Sequence, residues 1–117
     1  MEVVKKQSSV IGVDVGGTKI YAARFSENTI AEAETTHKTE AKQGRETVLK
    51  NLEKAIEEVL DASVSGISLS WAGLVDSKNG IIRNAPNIPG FQNFPLCTHL
   101  QKKFSVPVFL ENDARLF

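Results

Sequence analysis

Two polar clusters, each following an apolar run, hold most of the residue types in this sequence that could do chemistry. The first is Asp14-Val15-Gly16-Gly17-Thr18-Lys19, which follows Val10-Ile11-Gly12-Val13. Adjacent glycines let backbone amides approach a phosphate with no Cβ in the way, and the Thr18 hydroxyl could add a donor. Asp14 could hold a magnesium ion or its water, and Lys19 could offset charge. Polar residues at the carboxyl end of a strand are where α/β sheets usually hold ligands. The spacing matches neither Gly-x4-Gly-Lys-Ser/Thr nor Gly-x-Gly-x-x-Gly, and Gly-Gly is itself a favoured hairpin turn. Taken alone, the segment reads as a phosphate turn only slightly ahead of a plain hairpin.

The second cluster is Glu111-Asn112-Asp113, after Val106-Pro107-Val108-Phe109-Leu110. An aspartate there could take the proton from a hydroxyl attacking a phosphoryl group, with the asparagine orienting that hydroxyl. Asn and Asp are equally the preferred caps of a helix opening at Ala114. A third region pairs Trp71-Ala72-Gly73-Leu74-Val75-Asp76 with Asn84-Ala85-Pro86-Asn87-Ile88-Pro89-Gly90-Phe91. Backbone amides after the glycine and the amides of Asn84 or Asn87 could bind a small polar ligand, although such residues are ordinarily turn formers. His37, His99 and Cys97 stand apart from any ligand-like cluster and read as satisfied or packed side chains.

The elements that would position these clusters follow from periodicity. Val10 to Val15 reads as a buried strand, and Lys19 to Ser26 as a strand paired back on it, with a turn at Glu27-Asn28. Thr29 to Lys38 suits a half-solvated third strand, although Glu32 and Glu34 weaken that reading. From Arg45 to Asp61, Val48, Leu52, Ala55, Ile56, Val59 and Leu60 recur at helical spacing opposite a charged face. That face offers only like-charged neighbours, Lys50 with Lys54 and Glu53 with Glu57. A fourth strand spans Val64 to Trp71. The stretch from Leu74 to Pro95 is dense in turn formers, with a hairpin turn suggested at Asn79-Gly80. Leu96 to Phe104 suits a short helix and Val106 to Leu110 a last strand, with Pro107 implying an edge or a strand start.

Composition excludes several classes. The 117 residues suffice for one packed domain, and 41% hydrophobic with 24% charged residues is ordinary globular usage. Fourteen basic residues balance fourteen acidic ones, which disfavours nucleic acid as a partner. A single cysteine excludes an intrachain disulfide and fits a reducing cytoplasm. Neither a signal peptide nor a membrane span is expected, because Asp14 and Gly16-Gly17 break the apolar run after Lys5 and Lys6.

In this order, the turn at Asp14 to Lys19, Gly73-Leu74-Val75-Asp76, Asn84-Ala85-Pro86-Asn87 and Glu111-Asn112-Asp113-Ala114 resemble the amino-terminal domain of the ROK family (repressor, open reading frame, kinase), which includes bacterial glucokinases. The resemblance covers essentially the whole chain. It implies an α/β, actin-like, ribonuclease-H-like fold in two lobes, with residues 1–117 forming the amino-terminal lobe, a mixed sheet flanked by helices. It further implies Asp113 as the catalytic base, with Gly73, Asn87 and Asn112 on a hexose. Asp14, Gly16, Gly17, Thr18 and Lys19 fall at the phosphate end of ATP with Mg2+. A structural zinc would belong to the second lobe. The resemblance implies a cytoplasmic, homo-oligomeric parent, and one lobe alone is expected to be inactive. The family often has proline-glycine where this chain has Ala72-Gly73, which bears on sugar identity, and commonly asparagine where it has Arg115, a subfamily preference or a neutral helix residue. The same resemblance admits the sugar-sensing lobe of a repressor, whose DNA-binding part would precede Val10, and a non-catalytic fragment.

Overall fold

The structure, a computed structural model, describes residues 8–26 and 30–113. The expected turn at Glu27-Asn28 and the helix opening at Ala114 lie outside the described residues. Strands β1 (Ser9–Val15), β2 (Lys19–Phe25) and β3 (Ala31–Lys38) come first, followed by a 3-10 turn at Ala41–Gln43 and helix α1 (Arg45–Val59). Then come β4 (Val64–Trp71), β5 (Leu74–Asp76), β6 (Ile81–Asn84), helix α2 (Leu96–Phe104) and β7 (Val108–Asn112).

The main sheet has the order β3-β2-β1-β4-β7. Short turns can only return a chain antiparallel, whereas a helical crossover permits a parallel neighbour. Accordingly β1, β2 and β3 pair antiparallel, and β4 joins β1 in parallel after α1. After α2, β7 joins β4 in parallel. Both helices cover one face. Val48, Leu52, Ala55, Ile56 and Val59 of α1 and Leu96 and Leu100 of α2 share one core with Ile11, Val13, Val15, Ile20, Ile67, Leu69, Trp71 and Leu110. The other face carries Val10 and Phe109, 48% and 63% exposed, and no helix among the described residues packs on it.

Departures from the sequence-based expectation have local causes. Helix α1 stops at Val59 because Leu60 turns extended, and the Arg24 guanidinium donates to the freed Val59 carbonyl at 2.6 Å. Pairing of β7 begins after Pro107, which has no N–H to give; its carbonyl still accepts from the Ile67 amide at 2.9 Å. The turn-rich stretch contains a β5-β6 hairpin closed near Asn79-Gly80, and an Ile82–Phe94 bridge. The glutamates of α1 are not merely a solvated face: Lys103 of α2 reaches Glu53 at 3.2 Å and Glu57 at 3.4 Å, and His99 reaches Glu53 at 3.1 Å. His37 likewise bonds Glu58, so both histidines are satisfied.

Cys97 is buried under Gly80, where a Cβ would come within 2.8 Å of the Cys97 Sγ. Burial pushes the thiol up to about 11. A disulfide reagent at about pH 8 is therefore expected to label the folded chain far more slowly than the unfolded chain, since thiolate is the reactive form. Equal labelling rates would contradict this packing.

Candidate functional site

The parallel register brings three strand ends to one edge of the sheet. Val15 pairs with Trp71, and Trp71 with Asn112, so Gly16-Gly17-Thr18, Ala72-Gly73 and Asp113 all leave from adjacent strands at the same level. The Ala72 amide donates to the Val15 carbonyl at 3.3 Å, which binds the second of these turns to the first.

The glycine turn closes through a Gly16 N–H bond to the Lys19 carbonyl at 3.0 Å. Thr39, fully buried, grips it from behind: its hydroxyl donates to the Gly16 carbonyl at 2.7 Å and its amide to the Thr18 carbonyl at 2.9 Å. The amides of Gly17 and Thr18 have no acceptor among the described residues. An open cleft of ≈ 570 Å³ adjoins them, lined also by Glu40, Lys42, Asn87 and Pro89. Asn87 lies against the turn, 3.3 Å from where a Cβ on Gly17 would sit.

Gly73 and Asn112 meet directly, the Asn112 side-chain amide donating to the Gly73 carbonyl. Gly73 has φ 143, and a Cβ there would stand 2.5 Å from the Asn84 carbonyl oxygen. The loop from Asn84 to Phe91 is held from beneath by Phe91, whose ring lies 4.9 Å from Trp71 and 5.4 Å from Phe94. From the side, the Arg45 guanidinium sits 5.0 Å over the Phe94 ring and donates to the Gly90 carbonyl at 3.3 Å. Asp113 is the residue directly after β7 and is partly exposed beside Asn112.

Asp14 and Lys19 alternate with core residues along their strands and so project to the uncovered face. Asp14 lines a hollow there with Gly12, Tyr21, Phe25, Ser68 and Ser70 rather than the cleft beside Gly17 and Thr18. It shares a row with Ser70 and Glu111, and both Ser70 Oγ and Glu111 Oε2 are buried without a hydrogen-bond partner. Buried polar atoms are normally satisfied, so this oxygen-lined row suits the water shell of a hard cation. Lys19 stands directly across from Lys38, a like-charged pair with no acidic partner in the described ion pairs.

Sequence reasoning passed over Thr39, Asn51, Ser70 and the side-chain role of Glu111. Nothing in local spacing marks them: Thr39 and Asn51 act on partners elsewhere in the chain, and Ser70 and Glu111 meet Asp14 only through the sheet register. At the rim, Asp76 is held below its ordinary value of 3.8, chiefly by the side chain of Asn79, then by its backbone amide and by Arg83. A depressed carboxyl contributes stability above its unfolded pKa and loses it as pH falls through the folded one. Protection of the β5-β6 hairpin amides from exchange is therefore expected to decline below about pH 3.8, and to do so less in Asn79→Ala. An identical acid profile in that variant would refute the assignment.

The chain matches the ROK family over residues 10–117. It is 37% identical over 109 residues to a glucokinase from Thermotoga maritima, a match covering 92% of this chain and 34% of that protein. It is 29% identical to the xylose repressor of Caldicellulosiruptor bescii, over 97% of this chain and 30% of the repressor. Among solved structures, a ROK family glucokinase from Streptomyces griseus in complex with glucose and AMPPNP superposes with a TM-score of 0.82 at 30% identity, covering 92% of this chain and 34% of that one. The chain thus spans about a third of the length of the relatives it matches.

Proposed function

The chain belongs to the ROK family and has its actin-like α/β fold, and from that premise we propose that it is the amino-terminal lobe of an ATP-dependent hexose kinase. The observation that carries this reading is the row Val15, Trp71, Asn112. It sets a turn with two unoccupied amides, a glycine loop and a carboxylate side by side along one edge of three parallel strands. A phosphoryl donor and a sugar need such adjacent seats. The glucokinase likenesses support the substrate class.

In this mechanism Gly17 and Thr18 receive phosphate oxygens through their amides, and Asp14, with Ser70 and Glu111 in its row, would hold a magnesium ion through its water shell. The magnesium complex of ATP supplies the phosphoryl group and offsets the charge that develops on it. Gly16 closes the turn and Lys19 adds positive charge beside it. Asn112, fixed by the Gly73 carbonyl, orients the sugar hydroxyl, and Asp113 takes its proton as the oxygen attacks. Asn87 reaches the sugar from the loop beside Gly17. The full-length protein works in the cytoplasm as a homo-oligomer, with neither nucleic acid nor membrane as partner. The balanced charge of these 117 residues supports the first of those exclusions.

A second reading, the sugar-sensing lobe of a repressor, is favoured by the xylose repressor likeness. The two separate in one experiment: the full-length protein is given magnesium ATP with glucose, mannose, N-acetylmannosamine or xylose, and ADP release is followed. The kinase reading expects turnover that depends on a hexose. Sugar binding without ADP release favours the sensor.

A further inference from the structure

The geometry points to Thr39 and Asn51 as positioning residues that aim the Gly17 amide of the phosphate turn, an inference that rests on the kinase reading of that turn. The two carbonyls on either side of Gly17 are both occupied from behind by Thr39, through its hydroxyl to Gly16 at 2.7 Å and its amide to Thr18 at 2.9 Å. A peptide plane whose carbonyl is held on one side carries its N–H to the other. Holding the Gly16 carbonyl therefore fixes the plane that bears the Gly17 amide, one of the turn's two free donors, and turns that N–H toward the cleft, while holding the Thr18 carbonyl fixes the plane that leads into Lys19. The Thr39 methyl and hydroxyl sit in a fully buried site, so the grip is not a surface contact that solvent could replace.

Thr39 is itself held from helix α1. The Asn51 side-chain amide lies 3.1 Å from the Lys38 carbonyl, 3.2 Å from the Thr39 carbonyl and 3.0 Å from Glu40 Oε1. Glu40 is left-handed at φ 56, a conformation that a residue with a Cβ keeps only when its surroundings enforce it. Asn51 supplies that enforcement by bonding the two carbonyls that lead into the bend and the Glu40 carboxylate. The result is a continuous path of hydrogen bonds from the helix, through Asn51 and Thr39, to the turn. Neither residue lines the cleft beside Gly17, and neither touches the ligand in this scheme. Their effect is confined to how the donors are presented.

Two measurements test this. In the full-length protein, Thr39→Val removes the hydroxyl at nearly constant volume and is expected to raise the KM for ATP about tenfold, roughly the worth of one lost hydrogen bond with its partner left buried. The KM for the sugar should stay within about twofold, and Thr39→Ser should restore the ATP value. Asn51→Ala, outside the core, should shift the same parameter in the same direction. Equal rises in both KM values, or no rescue by serine, would overturn the positioning role. In the full-length protein without nucleotide, exchange of the Gly16 amide, which closes the turn, should speed about tenfold in Thr39→Val. Unchanged exchange would overturn the grip itself. Absence of any hexose-dependent ADP release from the wild-type protein would instead overturn the kinase reading, and the exchange measurement would still decide on the grip.

Discussion

Asp113→Asn in the full-length protein is expected to lower kcat for hexose phosphorylation by roughly 10²–10⁴-fold, the usual contribution of a positioned general base. The substitution keeps the shape but replaces a basic, acceptor-only carboxylate with an amide that is too weak a base to take the proton. Asp113 is partly exposed at the end of β7 and takes part in no ion pair among the described residues, so the fold should tolerate the change. The sugar KM should move by no more than a few-fold, because Asn112 and the Gly73 loop, which orient the hydroxyl in this reading, are untouched. Steady-state ADP release with a thermal melt as control makes the test. Turnover within a few-fold of wild type would mean that another group takes the proton.

Gly73→Ala is expected to act on both stability and sugar binding. The residue sits at φ 143, which is glycine territory, and the added Cβ would stand 2.5 Å from the Asn84 carbonyl oxygen and 3.0 Å from Ala85 Cα. Both neighbours are backbone, so relief requires moving the loop rather than rotating a side chain. Strain at such a position costs about 1–3 kcal/mol before any clash is counted. A total near 3 kcal/mol lowers the Tm of a domain this size by roughly 10 °C. Any loop shift also displaces the carbonyl that fixes Asn112, so sugar affinity should fall in whatever fraction stays folded. A melt within about 2 °C of wild type, on the same scale, would show that the loop yields cheaply. Alanine at Gly44 is the useful contrast: it also has positive φ, 104, but open space around it, and so isolates backbone strain from collision.

The elements were largely legible because their cues are local. The apolar spacing of Val48, Leu52, Ala55, Ile56 and Val59 announces α1, and Asn79-Gly80 announces the hairpin that the structure places inside the turn-rich stretch. Of the two places that Pro107 allowed, the structure takes the edge: β7 ends the sheet order and starts at the residue after the proline. What sequence could not show is adjacency. That Val15, Trp71 and Asn112 share one level depends on two crossovers and their register, and no window of residues contains that information. Nor could it show that Asp14 lines the hollow on the uncovered face while Gly17 and Thr18 line the cleft, although the motif presents them as one unit. Thr39 and Asn51 were invisible for the same reason: a threonine at a strand end and an asparagine in a helix acquire their role only from what they meet.

The strand order also sets a timetable for folding. Strands β1, β2 and β3 form a meander of neighbours, which short loops can close quickly. The central pair, β1 with β4, must wait until the second and third strands and all of α1 have been made, and its closure bears the entropy of that whole intervening length. During synthesis the meander therefore leaves the ribosome with the flank of β1 that β4 will occupy still unpaired, and α1 has only part of its final platform. Arrival of β4 completes the platform and, with β7, creates the edge proposed to face the ligands. The site is the last part of this lobe to come into existence, and a chain stalled before Trp71 would hold the glycine turn without any of the residues proposed to face the sugar.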